Sequence, residues 1–76
     1  MKELYTITAF SENHIGLLNR ITILFTRRHI NIESLTASAT EIKGIHRFTI
    51  VAEETMEQVE KVTAQIEKLP EVIRAE

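Results

Sequence analysis

Cysteine is absent from the 76 residues, so neither disulfides nor a thiolate metal site can cross-link the chain. Glycine occurs only at Gly16 and Gly44, too sparsely for a phosphate-cradling loop of the P-loop or dinucleotide type. Neither sign of charge prevails. Nine Lys+Arg against eleven Asp+Glu leave a net charge of -2, a poor electrostatic match to a nucleic-acid backbone. No apolar run approaches the roughly 20 residues of a membrane span. Met1-Lys2-Glu3 is not followed by an apolar stretch and a cleavage site, so no signal peptide is visible and a soluble cytoplasmic protein is expected. What is present, 43% hydrophobic and 26% charged residues, suits an ordered chain forming one small domain over 1–76. At this length apolar burial is marginal, which points to help from self-association.

The hydrophobic period changes along the chain. Leu4 to Phe10 alternates, with Tyr5, Ile7 and Ala9 on one face and Leu4, Thr6, Thr8 and Phe10 on the other, as in a strand. Ser11-Glu12-Asn13-His14 breaks it, and Asn13 is suited to cap a following helix. From Ile15 to about Arg28, Leu17, Leu18, Ile21, Leu24 and Phe25 form a helical stripe, with Ile15 and Ile23 off it. Arg27 and Arg28 sit in the last turn, where the helix dipole favours positive charge. A second strand is expected over 30–40. Its phase slips between Ile32 and Leu35, which predicts a bulge or strong twist. Glu41-Ile42-Lys43-Gly44 reads as a hairpin turn, with Gly44 at positive φ. Ile45 to Ala52 alternates again, placing Phe48, Ile50 and Ala52 together. Thr55 and Gln58 have the spacing of a capping box. The helix behind them should bury Met56, Val59, Val62, Ile66 and Leu69 and carry a Glu57–Lys61 pair outside. Glu53, Glu54, Glu57, Glu60 and Glu67 read as its solvated face. Pro70 ends it, and Val72 to Ala75 is a short last strand. The order β-α-β-β-α-β is the ferredoxin-like sandwich, an α+β fold with a four-stranded antiparallel sheet. Right-handed crossovers put both helices on one face and leave the other open.

The inventory for chemistry is thin. Ser11, Ser34 and Ser38 lack a nucleophile-elbow setting. His14, His29 and His46 lie at three different element boundaries, without metal-ligand spacing. RNA-recognition domains share this element order, but their stacking aromatics are missing. Lys43-Gly44 is followed by Ile45 and Arg47, while Tyr5 and Phe48 fall on the helix-covered face. Neither an enzyme nor a nucleic-acid binder is indicated, and no cofactor is implied. The loop Asn13-His14-Ile15-Gly16-Leu17-Leu18 stands out. It opens a helix whose first amides are unpaired and suit a carboxylate. Gly16 in that turn has two readings: close approach of a ligand to the backbone, or tight packing against the sheet.

The stretch N13-x-x-G16-x-L18-x-R20-I21-x-x-L24-F25-x-x-R28-x-x-N31-I32-E33-S34-L35-T36, with R47-F48-T49-I50 later, resembles the ACT domain of the small regulatory subunit of acetohydroxyacid (acetolactate) synthase. The resemblance runs along essentially the whole chain. It implies a non-catalytic regulator that binds a branched-chain amino acid, usually valine, and confers feedback inhibition on a thiamine-diphosphate-dependent catalytic subunit. It also implies a homodimer joined through the edge strand 30–40, with the effector held at the seam. Carried over by position, Asn13 and Gly16 hold the effector's charged end, with His14 and Ile15 between them. Leu17 and Leu18 continue the wall, Asn31 completes it from the neighbouring protomer, and Ser38 lies near the interface. His14-Ile15 departs from the small residue or proline common in the family, and His29-Ile30 from its Gly-aromatic pair. An assembly module that activates the catalytic subunit without sensing an effector is the alternative.

Overall fold

The computed structural model describes residues 1–12 and 16–76. The elements are β1 (Glu3–Glu12), α1 (Leu17–Arg27), β2 (Ile32–Ala39), β3 (Ile45–Glu54), α2 (Met56–Glu67) and β4 (Val72–Ala75). They form one antiparallel sheet in the order β2-β3-β1-β4. This is the expected α+β ferredoxin-like sandwich, with β2 at one edge and the short β4 at the other. Ile7, Ala9, Phe48, Ile50 and Ala52 from the sheet meet Leu17, Ile21, Phe25, Val62 and Ile66 from the helices in a single core. No helix among the described residues is long and apolar enough to cross a membrane.

The irregularity expected in β2 is a register shift against β3 between Ile32 and Ser34. Ile32 stands opposite Ala52, and after the shift Leu35 stands opposite Ile50. One extra residue thus returns both apolar side chains to the core side, where both pack partly buried. The β2–β3 turn is closed by Thr40, whose N–H donates to the Ile45 carbonyl at 3.2 Å and whose hydroxyl donates to it at 2.9 Å. Gly44 takes φ +89°, the left-handed region that favours glycine.

Helix α1 begins at Leu17, two residues after the expected start, with Gly16 at the cap position and no side-chain cap bond. The cap expected from Asn13 lies outside the described residues. The far end of α1 is a Schellman turn. His29 N–H donates to the Thr26 carbonyl and Ile30 N–H to the Phe25 carbonyl, both at 3.0 Å. His29 occupies the left-handed position at φ +57°, and buried Ile30 follows it into the core. Arg28 donates to Gln65 Oε1 (2.7 Å) and Gln58 Oε1 (3.3 Å), so it clasps α2 rather than contributing loose positive charge.

Three expectations need correction. Leu18 and Met56 stand exposed instead of lining the core. Leu18 is one residue past buried Leu17, about 100° around the helix and off the core stripe. Met56 heads α2 beside Tyr5, at a stretch of β1 that has no outer strand among the described residues. Glu54 is buried at the end of β3, not on a solvated helix face. One of its oxygens pairs with Lys2 Nζ at 3.4 Å and the other accepts from Thr55 N–H at 3.2 Å. Thr55 caps α2 as expected, its hydroxyl accepting from Gln58 N–H at 3.3 Å. The reciprocal half of the capping box is supplied by Glu54, because the Gln58 side chain is engaged by Arg28. The Glu57–Lys61 pair forms outside, at 3.9 Å.

Candidate functional site

Gly16 explains itself by neither of the usual structural reasons. Its φ and ψ, -84° and -5°, are open to any residue. A side chain built there would meet no described atom within 4 Å. The tight-packing reading is therefore overturned. Gly16 is exposed, its carbonyl accepts from Arg20 N–H at 3.3 Å, and it precedes a helix start that no described side chain caps. The first amides of an α-helix have no intrahelical acceptor and carry the positive end of its dipole, so this surface suits an anion. The Leu17 side chain is fully buried, which leaves its backbone N–H as its possible contribution to a wall. Leu18 is exposed and available. Asn13, His14 and Ile15 lie outside the described residues.

Arg20, in the second turn of α1, pairs with Glu71 in the turn before β4. The Glu71 carbonyl also accepts from Glu12 N–H at 3.0 Å, tying this turn to the end of β1. Ser11 and His46, set aside in the sequence for want of a nucleophile or metal-ligand setting, stand opposite each other across β1 and β3. Ser11 Oγ and His46 Nδ1 are buried and make no hydrogen bond to any described residue. The signal was available, because Ser11 continues the inward series Tyr5, Ile7, Ala9, and His46 begins the series Phe48, Ile50, Ala52.

Asn31 is exposed just before β2, and Ser38 is exposed near its far end. Within one protomer Asn31 and Gly16 are not brought together. They flank the eleven-residue α1, which is about 16 Å long at 1.5 Å per residue. Ser38 and Gly16, by contrast, share one end of the sheet, since β1 ends at Glu12 opposite Ile45 and Ala39 stands opposite His46. A hollow of about 430 Å³ opens at that end, lined in part by Phe10, Ala39, Ile42 and Arg47. The Arg74 guanidinium lies 5.3 Å from the Phe10 ring centroid. A shallower hollow of about 440 Å³ at the opposite end is lined by Thr26, His29, Ile30 and Asn31. Among the described residues no group of three or more His, Cys, Asp or Glu could hold a metal ion.

The model of the AHAS small subunit-like ACT domain matches residues 7–74. The acetolactate synthase small subunit of Bacillus subtilis is 45% identical over 75 residues, covering 97% of this chain and 42% of that protein. A probable acetolactate synthase small subunit of Archaeoglobus fulgidus is 46% identical over 70 residues, covering 92% and 44%. Among solved structures, the acetolactate synthase small subunit of Thermotoga maritima superposes with a TM-score of 0.86 at 27% identity, over 97% of this chain and 46% of that one. The chain thus spans less than half the length of these relatives.

Proposed function

The chain belongs to the AHAS small subunit-like ACT domain family, and we propose that it works as a cytoplasmic regulatory module of acetolactate synthase, sensing a branched-chain amino acid, valine foremost, at the seam of a homodimer. The relatives carry the name of the small subunit, which sets the chain apart from the catalytic one. Its partner is then the thiamine-diphosphate-dependent catalytic subunit, and the chain itself needs no cofactor.

The observation that carries this reading is the place of β2 at the sheet edge, with exposed Asn31 before it and exposed Ser38 near its end. An edge strand is open to pairing with its own copy across a two-fold axis. Antiparallel β2–β2 pairing reverses the partner strand. The partner's start, with its Asn31, then falls beside the near protomer's Ser38, at the sheet end where Gly16 and the start of α1 lie. Two groups separated by the length of α1 in one chain thus become neighbours in the dimer. The amides at the helix start receive the effector carboxylate, Gly16 leaves room for it, and Leu18 offers apolar contact to an aliphatic side chain.

Isothermal titration with valine, leucine and isoleucine tests the reading. Saturable heat is expected with valine, and Gly16→Asp should abolish it through bulk and charge repulsion while circular dichroism and melting stay unchanged. Retained valine affinity in Gly16→Asp would refute the site. Absence of heat with all three amino acids on a folded dimer would refute sensing and favour an assembly module that activates the catalytic subunit without an effector.

A further inference from the structure

We propose that Arg20 and Glu71 are positioning residues for the effector site: their ion pair holds together the two stems of the segment 13–15, and effector affinity depends on it. The proposal rests on the effector reading and names residues that act behind that site without touching the effector.

The stems are the described residues on either side of the segment, Glu12 at the end of β1 and Gly16 before α1. A main-chain hydrogen bond ties each of them to one member of the pair. Glu12 N–H donates to the Glu71 carbonyl at 3.0 Å, and Arg20 N–H donates to the Gly16 carbonyl at 3.3 Å. The Arg20 guanidinium donates to the Glu71 carboxylate and joins the two. The path Glu12, Glu71, Arg20, Gly16 thus bridges the segment from one stem to the other. Glu71 is a firm anchor for it. Its turn is closed by Val72 N–H donating to the Leu69 carbonyl at 3.0 Å, Pro70 stiffens that turn, and Val72 pairs with Ser11 of β1.

The other fastenings of the helix start do not replace this bridge. Leu17 is fully buried and packs the first turn onto the core, but apolar contact is non-directional and does not aim the turn. The 3.3 Å bond to the Gly16 carbonyl is long for N–H···O, and no described side chain caps the start. An arginine–carboxylate bond is charge-assisted and directional. The Glu71 side chain is 10% exposed against 41% for Arg20, so without the arginine its carboxylate has little water to turn to. A helix start binds a carboxylate best when its amides are already aimed. Loosened stems must be ordered on binding, and that ordering lowers affinity.

Two measurements on the 76-residue chain test the proposal: amide exchange at positions 12 and 20 without effector, and isothermal titration with valine. Arg20→Gln and Glu71→Gln are each expected to speed exchange of both amides and to weaken valine binding at least fivefold. Arg20→Lys should restore most of both losses, since one N–H···O contact carries the bond and an ammonium can make it. The double variant Arg20→Gln, Glu71→Gln should be no worse than either single one, because the two side chains act as a unit. Thr55→Ala separates positioning from bulk stability. It weakens the fold at the opposite end of the sheet and should leave both readouts as in the parent, because the stem amides exchange by local opening. Valine bound by both single Gln variants as tightly as by the parent, or unchanged exchange at both positions, would overturn the proposal and leave the effector reading standing. So would an equal loss of affinity in Thr55→Ala. A parent that gives no heat with valine, leucine or isoleucine would overturn the effector reading and this proposal with it.

Discussion

His29 holds φ at +57°, a region where a side chain costs energy and glycine does not. It does so because the Schellman turn after α1 requires one left-handed residue before Ile30 can enter the core. His29→Gly is therefore expected to stabilise the fold by about 0.5–1 kcal/mol, the relief exceeding glycine's extra unfolded-state entropy. The urea midpoint should rise at unchanged slope; a fall would mean that the imidazole makes a contact worth more than the strain. Tyr5 supplies a second test at this scale. Partial desolvation between β1 and α2 raises its phenol pKa above the ordinary value of 10.0, and the carboxylates of Glu3 and Glu60 raise it further. The folded chain thus keeps this proton to higher pH than the unfolded chain does. The associated stability is whole below pH 10 and fades as pH climbs through the raised value. As Tyr5 is the one tyrosine in the sequence, tyrosinate absorbance reports it alone. Glu60→Gln should bring its titration down toward 10.

At the scale of elements, Thr55 fixes where α2 begins by accepting from Gln58 N–H. Thr55→Ala should cost about 1 kcal/mol in chemical denaturation, with the loss confined to stability and not to effector affinity. The cap was legible because Thr and Gln three residues apart precede a helical period. The use of the Gln58 side chain was not, since its partner Arg28 comes from another element. The same division runs through the chain. The phase slip between Ile32 and Leu35 announced the β2 register shift, because a period of two must be mended locally. Burial of Glu54 was hidden, because it follows from Lys2 meeting the end of β3. Met56 fits the helical stripe yet stands exposed, and no periodicity in α2 reveals how far the sheet reaches beneath it. At the site, Gly16 was conspicuous as a glycine in a helix's first turn, while the choice between packing and access needed coordinates.

On the scale of the whole molecule, one layer of helices over four strands puts β2 at one edge of the sheet and β4 at the other. Among the described residues β4 pairs with β1 only from Ala9 to Ser11, while β2 has no outer neighbour along its length. A small domain has little stability in reserve, and joining two sheets at β2 would extend the ladder and bury part of one edge. The ladder phase identifies the substitution that tests this. Thr40 N–H donates to Ile45, so Ser38, Thr36 and Ser34 turn toward β3 and Ala37 presents its N–H outward. Ala37→Pro removes that outward donor and sets a ring where a partner strand would lie, with no intramolecular hydrogen bond lost. The variant should keep its circular dichroism, become monomeric at concentrations where the parent is dimeric by analytical ultracentrifugation, and lose valine heat together with dimerisation. Linkage makes the converse obligatory: valine, if bound only across the seam, must tighten the parent dimer by the factor by which dimerisation raises valine affinity. An Ala37→Pro chain that dimerises like the parent would place the seam elsewhere. One that is monomeric yet binds valine would give the effector a site within a single protomer, and the partner's Asn31 would have no part in it.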